Sequence, residues 1–274
     1  MASNSSQIQI KALKTIEELK TVEELQLEVW GCSEREVLPS LALIPLLDIG
    51  GVLIGAFDSQ KLVGFVVGFP GLQAGTALLH SDMLAVKAEY RSSGLGYKLK
   101  LAQREAALQQ GIERITWTFD PLQSTNAHLN FRKLGVTADR YKIDYYGETS
   151  SVLHRTGTDR LWVTWSLRSE RVIRRINASA VDSPALAELP ALLRLGTDDK
   201  PVVSELALTE PSLTIEIPND INTIIKTDEE LAKRWRAATR AAFTGALAAD
   251  YWATDFFRGA EGKRKGVYLL TRNG

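Results

Sequence analysis

Apolar and polar positions alternate from Gln7 to Leu13, which predicts a strand. Thr15 followed by Glu18 then forms a capping-box signature for a helix with apolar positions Leu19, Val22, Leu25 and Val29. A second helix is expected from Ser40 to Asp48 after Pro39, broken by Gly50 and Gly51. Val52–Phe57 and Leu62–Phe69, joined at Asp58–Lys61, read as a β-hairpin, and Ala77–Val86 as a further strand. Leu95, Leu99, Ala102 and Ala106 recur at helical spacing until Gly111, and Ile112–Phe119 follows as a strand. Ser124 is expected to cap a short helix ending near Leu134, with strands at Tyr141–Tyr146 and Leu161–Leu167.

From about Glu170 the texture changes to a Pro, Ala and Leu mixture, placing a boundary near residue 172. Beyond it lie a strand at Ser212–Ile217, a capping box at Thr227 and Glu230, and a helix carrying Leu231, Trp235, Ala238 and Ala242 on one face. Strands near Tyr251–Phe257 and Val267–Leu270 follow. The expected organisation is a domain over residues 7–170 and a smaller αβ module over 172–274.

The chemistry concentrates where the strand ending at Val86 meets the helix opening at Leu95. Helix N-termini expose unpaired N–H groups and partial positive charge, so a loop of small residues there can wrap an anionic phosphate. In the run Arg91, Ser92, Ser93, Gly94, Leu95, Gly96, the glycines permit close approach, the serines offer hydroxyls and Arg91 offers charge. Alone, R-x-x-G-x-G also suits any tight strand-to-helix turn. The full GxGxxG and GxxxxGK[ST] fingerprints are absent, which removes specific support for dinucleotide and ATPase readings.

Residues 84–99, LAVKAEYRSSGLGYKL, resemble the acyl-CoA-binding core motif of the GNAT (Gcn5-related N-acetyltransferase) superfamily, and STNAHLNFRKLGV over 124–136 resembles its second core motif. The resemblance spans roughly residues 7–170. It implies an α/β (α+β) fold with a mixed, splayed central β-sheet flanked by helices, to which the C-terminal αβ module is added. It also implies that Leu78–Val86 and Ile112–Phe119 part to admit the pantetheine arm. Backbone groups of Leu84, Ala85 and Val86 would bind it and polarise the thioester, the loop Arg91–Gly96 with Tyr97 would hold the pyrophosphate, and Asn126 would orient the pantetheine or cap its helix.

Direct acyl transfer needs a neutral amine, a donor to the developing oxyanion and a proton for the leaving thiolate. His80 and Asp82 lie two residues apart on the strand entering the site, so both are expected on one face as candidate bases, or as partners of a structural hydrogen bond. Many family members carry a tyrosine acid four residues before the glycine of K-L-G. Phe131 stands there, leaving Tyr145, Tyr146 or solvent as the proton source.

His128 and His154 read as surface residues, and three scattered histidines make no zinc pattern. The aromatics Trp235, Phe243, Tyr251, Trp252, Phe256 and Phe257 read as core, and Arg234, Arg236 and Arg240 as a solvated helix face.

Composition narrows the remaining classes. Thirty-three basic residues balance thirty-three acidic ones, giving no overall attraction toward nucleic acid or a membrane surface. The run Lys263–Lys265 is expected to be a solvated turn. Leu41–Phe57 is interrupted by Pro45, Asp48 and two glycines, which excludes a membrane span there. No signal peptide is recognisable at the N-terminus, and the single Cys32, read as a buried structural thiol, fits a reducing cytoplasm.

The expected activity is transfer of an acyl group, acetyl or a dicarboxylic one such as succinyl, from acyl-CoA to the amine of a small metabolite such as an amino acid, without a metal. The alternative is a catalytically reduced acyl-CoA sensor, motivated by Phe131; protein lysine acetylation ranks below both. The tail could complete the domain, cover the acceptor site or form a homodimer interface.

Overall fold

Local sequence rules set the opening elements. Strand β1 (Gln9–Ala12) leads into helix α1 (Ile16–Trp30), where Thr15 accepts from the Glu18 N–H while the Glu18 carboxylate accepts from the backbone of Thr15. Gly31 ends α1 in left-handed geometry at φ 57°, as a helix terminus without a side chain permits. Helix α2 (Ser40–Asp48) follows Pro39, and β2 (Val52–Asp58), β3 (Lys61–Gln73) and β4 (Thr76–Val86) form an antiparallel meander. Helix α3 (Leu95–Gln109) and β5 (Arg114–Phe119) complete this part.

The computed structural model describes residues 8–147, 156–177, 185–205, 208–259 and 264–272. Its contacts separate two compact units, one taking in the described residues up to Trp117 and the other those from Thr118 onward. Residue 172 falls within a helix of the second unit.

In the first unit the strand order is β1-β2-β3-β4-β5, antiparallel except for the parallel β4–β5 pair. One face of this mixed sheet packs on α1 and α2 through Leu19, Val22, Leu25, Leu43, Phe65 and Val67. The other carries α3. Strands β4 and β5 pair only at Leu79↔Ile115 and His80↔Thr116, whereas β3 stays paired with β4 to Val86. The sheet therefore splays beyond His80, as the resemblance implied.

The second unit begins with α4 (Ser124–Ala127), which runs into a π-helical stretch over His128–Leu134, and continues through β6 (Thr137–Lys142), β7 (Arg160–Ser166) and α5 (Glu170–Ile176). Strands β8 (Ala191–Leu195), β9 (Pro201–Val203) and β10 (Ser212–Pro218) follow, then helices α6 (Ile221–Thr227) and α7 (Glu229–Ala248), and strands β11 (Tyr251–Arg258) and β12 (Lys265–Arg272). The strand order is β7-β6-β11-β12-β10-β8-β9. Trp235, Phe243, Tyr251 and Phe256 are fully buried, so these four tail aromatics are core; Trp252 and Phe257 are half-buried.

Several sequence expectations are corrected. The strand expected at Tyr141–Tyr146 is shifted to β6, because Asp159 takes the Asp144 N–H at 3.0 Å and Asp144 adopts φ 45°, turning the chain and leaving Tyr145 and Tyr146 on an exposed turn. Helix α7 is capped by Asp228, which accepts from Leu231 at 2.9 Å, while the Thr227 hydroxyl donates back to Thr223 O at 2.9 Å in α6. Ser124 is the first helical residue and not a cap; its hydroxyl meets Asn219 Oδ1 at 3.1 Å.

Arg236 and Arg240 do not form a solvated face. Arg236 is buried in a bidentate pair with Asp120 at 2.7 and 2.7 Å, and Arg240 meets Asp159 at 2.8 and 2.7 Å; Arg234 is exposed. Burial alone would lower the Arg236 pKa, but the paired carboxylate carries it above the ordinary value. Cys32 is half-buried. His128 is half-buried too, with Nδ1 enclosed and unpartnered among the described residues. His154 and Lys263 lie outside the described residues.

Candidate functional site

Beyond His80, β4 is bonded to β3 on one side only, so main-chain groups on its other edge lack β5 as a partner. This segment holds Leu84, Ala85 and Val86, of which Ala85 is buried and its neighbours half-buried. Lys87 N–H is tied to Val63 O at 2.9 Å, and a short 3₁₀ turn over Ala88–Tyr90 redirects the chain. Tyr90 donates to Asp58 Oδ2 at 2.6 Å, anchoring that turn to the end of β2.

The loop then climbs to α3. Ser92 takes φ 64°, Ser93 Oγ donates to Tyr90 O at 2.7 Å, and Gly94 is the N-cap at φ 79°, a conformation L side chains rarely adopt. A Cβ on Gly94 would meet nothing within 4 Å, so that face of the loop is open. Gly94 has no side chain to cap the helix, which leaves the first N–H groups of α3 directed at an exposed loop. Arg91 is exposed, with Nε donating to Val86 O at 3.1 Å, which links the loop to the last residue of β4. Leu95 is buried, and Gly96 and Tyr97 half-buried. Strand edge, loop and helix start are therefore continuous, and together can accept an elongated ligand bearing a phosphate end and amide groups.

The two candidate bases differ from expectation. Val67 pairs with Met83 and Gly68 with Ser81, so Asp82 is the extra residue of a β-bulge. The bulge breaks the two-residue alternation, and the shared face expected for His80 and Asp82 does not follow. His80 Nδ1 lies 3.0 Å from Thr116 Oγ1, while Asp82 makes no side-chain hydrogen bond among the described residues. Burial, with a contribution from the Lys100 charge, lowers the His80 pKa and keeps the imidazole neutral near pH 7. The Asp82 side is open to solvent, yet crowding by protein atoms raises its carboxyl pKa.

In the second unit, Asn126 is exposed in the third position of α4, which excludes a capping role. Phe131 is fully buried, edge-on to Phe119 at 6.3 Å and to Tyr268 at 5.7 Å. Tyr146 lies 3.3 Å from Thr118 Oγ1. No cluster of metal-ligating side chains occurs among the described residues, and no helix among them is long and apolar enough to cross a membrane.

Sequence reasoning missed Lys100 and Ser81, the buried polar pair behind the bulge. Lys100 lies off the spacing Leu95, Leu99, Ala102 and Ala106 that marks the apolar face of α3 in the sequence, so its burial carried no sequence signal.

Residues 19–136 match the family model described as the acetyltransferase (GNAT) family. None of the curated proteins matches the chain. Among solved structures, the chain is similar to the ribosomal-protein-S18-alanine N-acetyltransferase from Escherichia coli at 15% identity, over 60% of this chain and 97% of that one, with a TM-score of 0.45. An aminoglycoside 6'-acetyltransferase type Ii is 17% identical over 59% and 98%, with a TM-score of 0.45. The PaiA N-acetyltransferase from Thermoplasma acidophilum, in complex with coenzyme A, is 21% identical over 58% and 99%, with a TM-score of 0.42.

Proposed function

We propose that the chain is a cytoplasmic acyl-CoA-dependent N-acyltransferase that moves an acyl group, acetyl in the first instance, to the amine of a small metabolite such as an amino acid. The observation that supports this reading is the R-x-x-G-x-G loop at the start of α3, continuous with the one-sided edge of β4. Pyrophosphate would lie on the loop from Arg91 to Gly96 against the N-terminal dipole, and pantetheine would extend β4 through the main chain of Leu84, Ala85 and Val86.

In the reaction the amine nitrogen attacks the thioester carbon, and the carbonyl oxygen takes up negative charge against a main-chain N–H of that edge. Collapse then forms the amide bond and breaks the carbon–sulfur bond. A neutral His80 would accept the amine proton directly or through water, and the thiolate is protonated by a tyrosine hydroxyl or by solvent. In this reading residues 7–170 bind acyl-CoA and 172–274 form the extension.

Buried Phe131 favours a second reading, an acyl-CoA-binding sensor without turnover. Calorimetric titration of acetyl-CoA and succinyl-CoA into wild-type protein and Gly94→Glu tests the site. Tight wild-type binding lost in Gly94→Glu, which places a carboxylate against the phosphates, supports the site and ranks the donors; binding by neither protein overturns it. Thiol release in the presence of amines separates enzyme from sensor.

A further inference from the structure

Lys100, in the second turn of α3, is buried, and among the described residues no carboxylate pairs with it. Its ammonium donates to Ser81 Oγ at 2.6 Å, lies 3.4 Å from Gln103 Oε1 and sits 3.8 Å over the Trp117 ring. A lysine so placed gives up hydration for one hydroxyl, one distant amide and one ring face. Burial accordingly lowers its pKa to about 7. Nothing in the assembly of the core requires an amine there, because an aliphatic side chain of the same length would fill the volume without the desolvation.

What the amine holds is specific. Ser81 is the residue of β4 beside the bulged Asp82, the point at which the strand leaves β5 and starts its one-sided run to Val86. Opposite it on β3 is Gly68, where a Cβ would come within 2.8 Å of Leu79 Cγ and 2.9 Å of Gln103 Nε2, so the bulge and the α3 side chains are fitted around a missing side chain. Lys100 thus joins the helix whose start would hold the phosphates to the strand whose edge would face the thioester in the acyl-CoA reading.

We propose that Lys100 is a positioning residue which, by holding Ser81, fixes the β4 bulge and sets the edge Met83–Val86 relative to the loop Arg91–Gly96, so that one acyl-CoA molecule can engage both. This rests on the acyl-CoA reading given above. Groups that could confuse its charge are few. Ser81 and Gly68 are uncharged, as are Gln103 of α3 and Trp117 of β5, and His80 of β4 is the titratable group whose own pKa registers Lys100.

The test is calorimetric titration of acetyl-CoA into wild type, Lys100→Met, Ser81→Ala and the double variant between pH 6 and 9, with circular dichroism to establish folding. Expected are folded variants, each binding acetyl-CoA about tenfold more weakly, with the double variant no worse than either single one, as for partners in one hydrogen bond. Wild-type affinity should vary with pH near 7 and that of Lys100→Met should not; His80→Gln should keep the variation. A role confined to stability would change the unfolding free energy and leave the affinity of the folded protein unchanged.

Wild-type binding with unchanged affinity in a folded Lys100→Met overturns the inference alone. If Lys100→Met fails to fold, Ser81→Ala decides in the same way. Absence of wild-type binding overturns the acyl-CoA reading and the inference with it.

Discussion

Replacing Lys100 by methionine should make the protein more stable in mild acid and less stable in alkali. Folding takes the ammonium from a site where it titrates at 10.5 to one where it titrates at about 7. At 1.36 kcal/mol per pH unit this opposes the folded state by roughly 5 kcal/mol when the lysine is charged in both states. Methionine removes that penalty but strands the Ser81 hydroxyl, at a cost of about 2 kcal/mol. The net gain for Lys100→Met is then about 3 kcal/mol at pH 6.

The sign follows from proton counts. Between pH 7 and 10.5 the unfolded lysine binds more protons than the folded one, so wild-type stability rises with pH across that window and is lost again as pH falls to about 7. The variant has no such dependence at this position, and the two stabilities should cross near ~pH 9, above which the stranded hydroxyl dominates. Urea unfolding at pH 6, 7.5 and 9.5, followed by tryptophan fluorescence, measures this. A variant less stable than wild type at pH 6, or a difference that stays constant with pH, would refute the buried-cation account.

Two other perturbations address separate parts of the molecule. Arg236→Met removes the bidentate partner of Asp120 and leaves a carboxylate without its counter-ion, so unfolding free energy should drop by about 3–5 kcal/mol; a loss below about 1 kcal/mol would mean that the pair is solvated. His80→Gln should lower turnover about a hundredfold with little change in KM for acetyl-CoA, and should remove the acid limb of the wild-type pH–rate profile, which lies below the ordinary histidine range because burial depresses the pKa. An unchanged profile assigns the proton transfer elsewhere.

The loop and its flanking elements were legible because short-range rules govern them: a capping box at Thr15 and Glu18, a glycine needed at positive φ at residue 94, and apolar spacing along α3. The bulge at Asp82 was not legible, since it is a property of the pairing of β3 with β4, and one extra residue there undoes the alternation on which the His80 and Asp82 expectation rested. Arg236 and Arg240 were misread for a related reason. On one helix they resemble a solvated stripe, and their carboxylate partners, Asp120 and Asp159, lie 116 and 81 residues earlier. Likewise β6 ended early because the side chain of Asp159, just before β7, claimed the Asp144 N–H.

The aromatic centre of the second unit has an implication for the order in which the protein is made. Phe131 and Phe243 both pack edge-on to Tyr268, which also donates to Pro121 O across 147 residues of chain. Strand β12, which carries Tyr268, is synthesised after nearly everything it touches. Until it emerges from the ribosome, β6 and β7 can pair with each other but the centre they enclose has no middle. The nascent chain therefore carries an incomplete second unit through most of its synthesis, with the open edge of β6 awaiting β11.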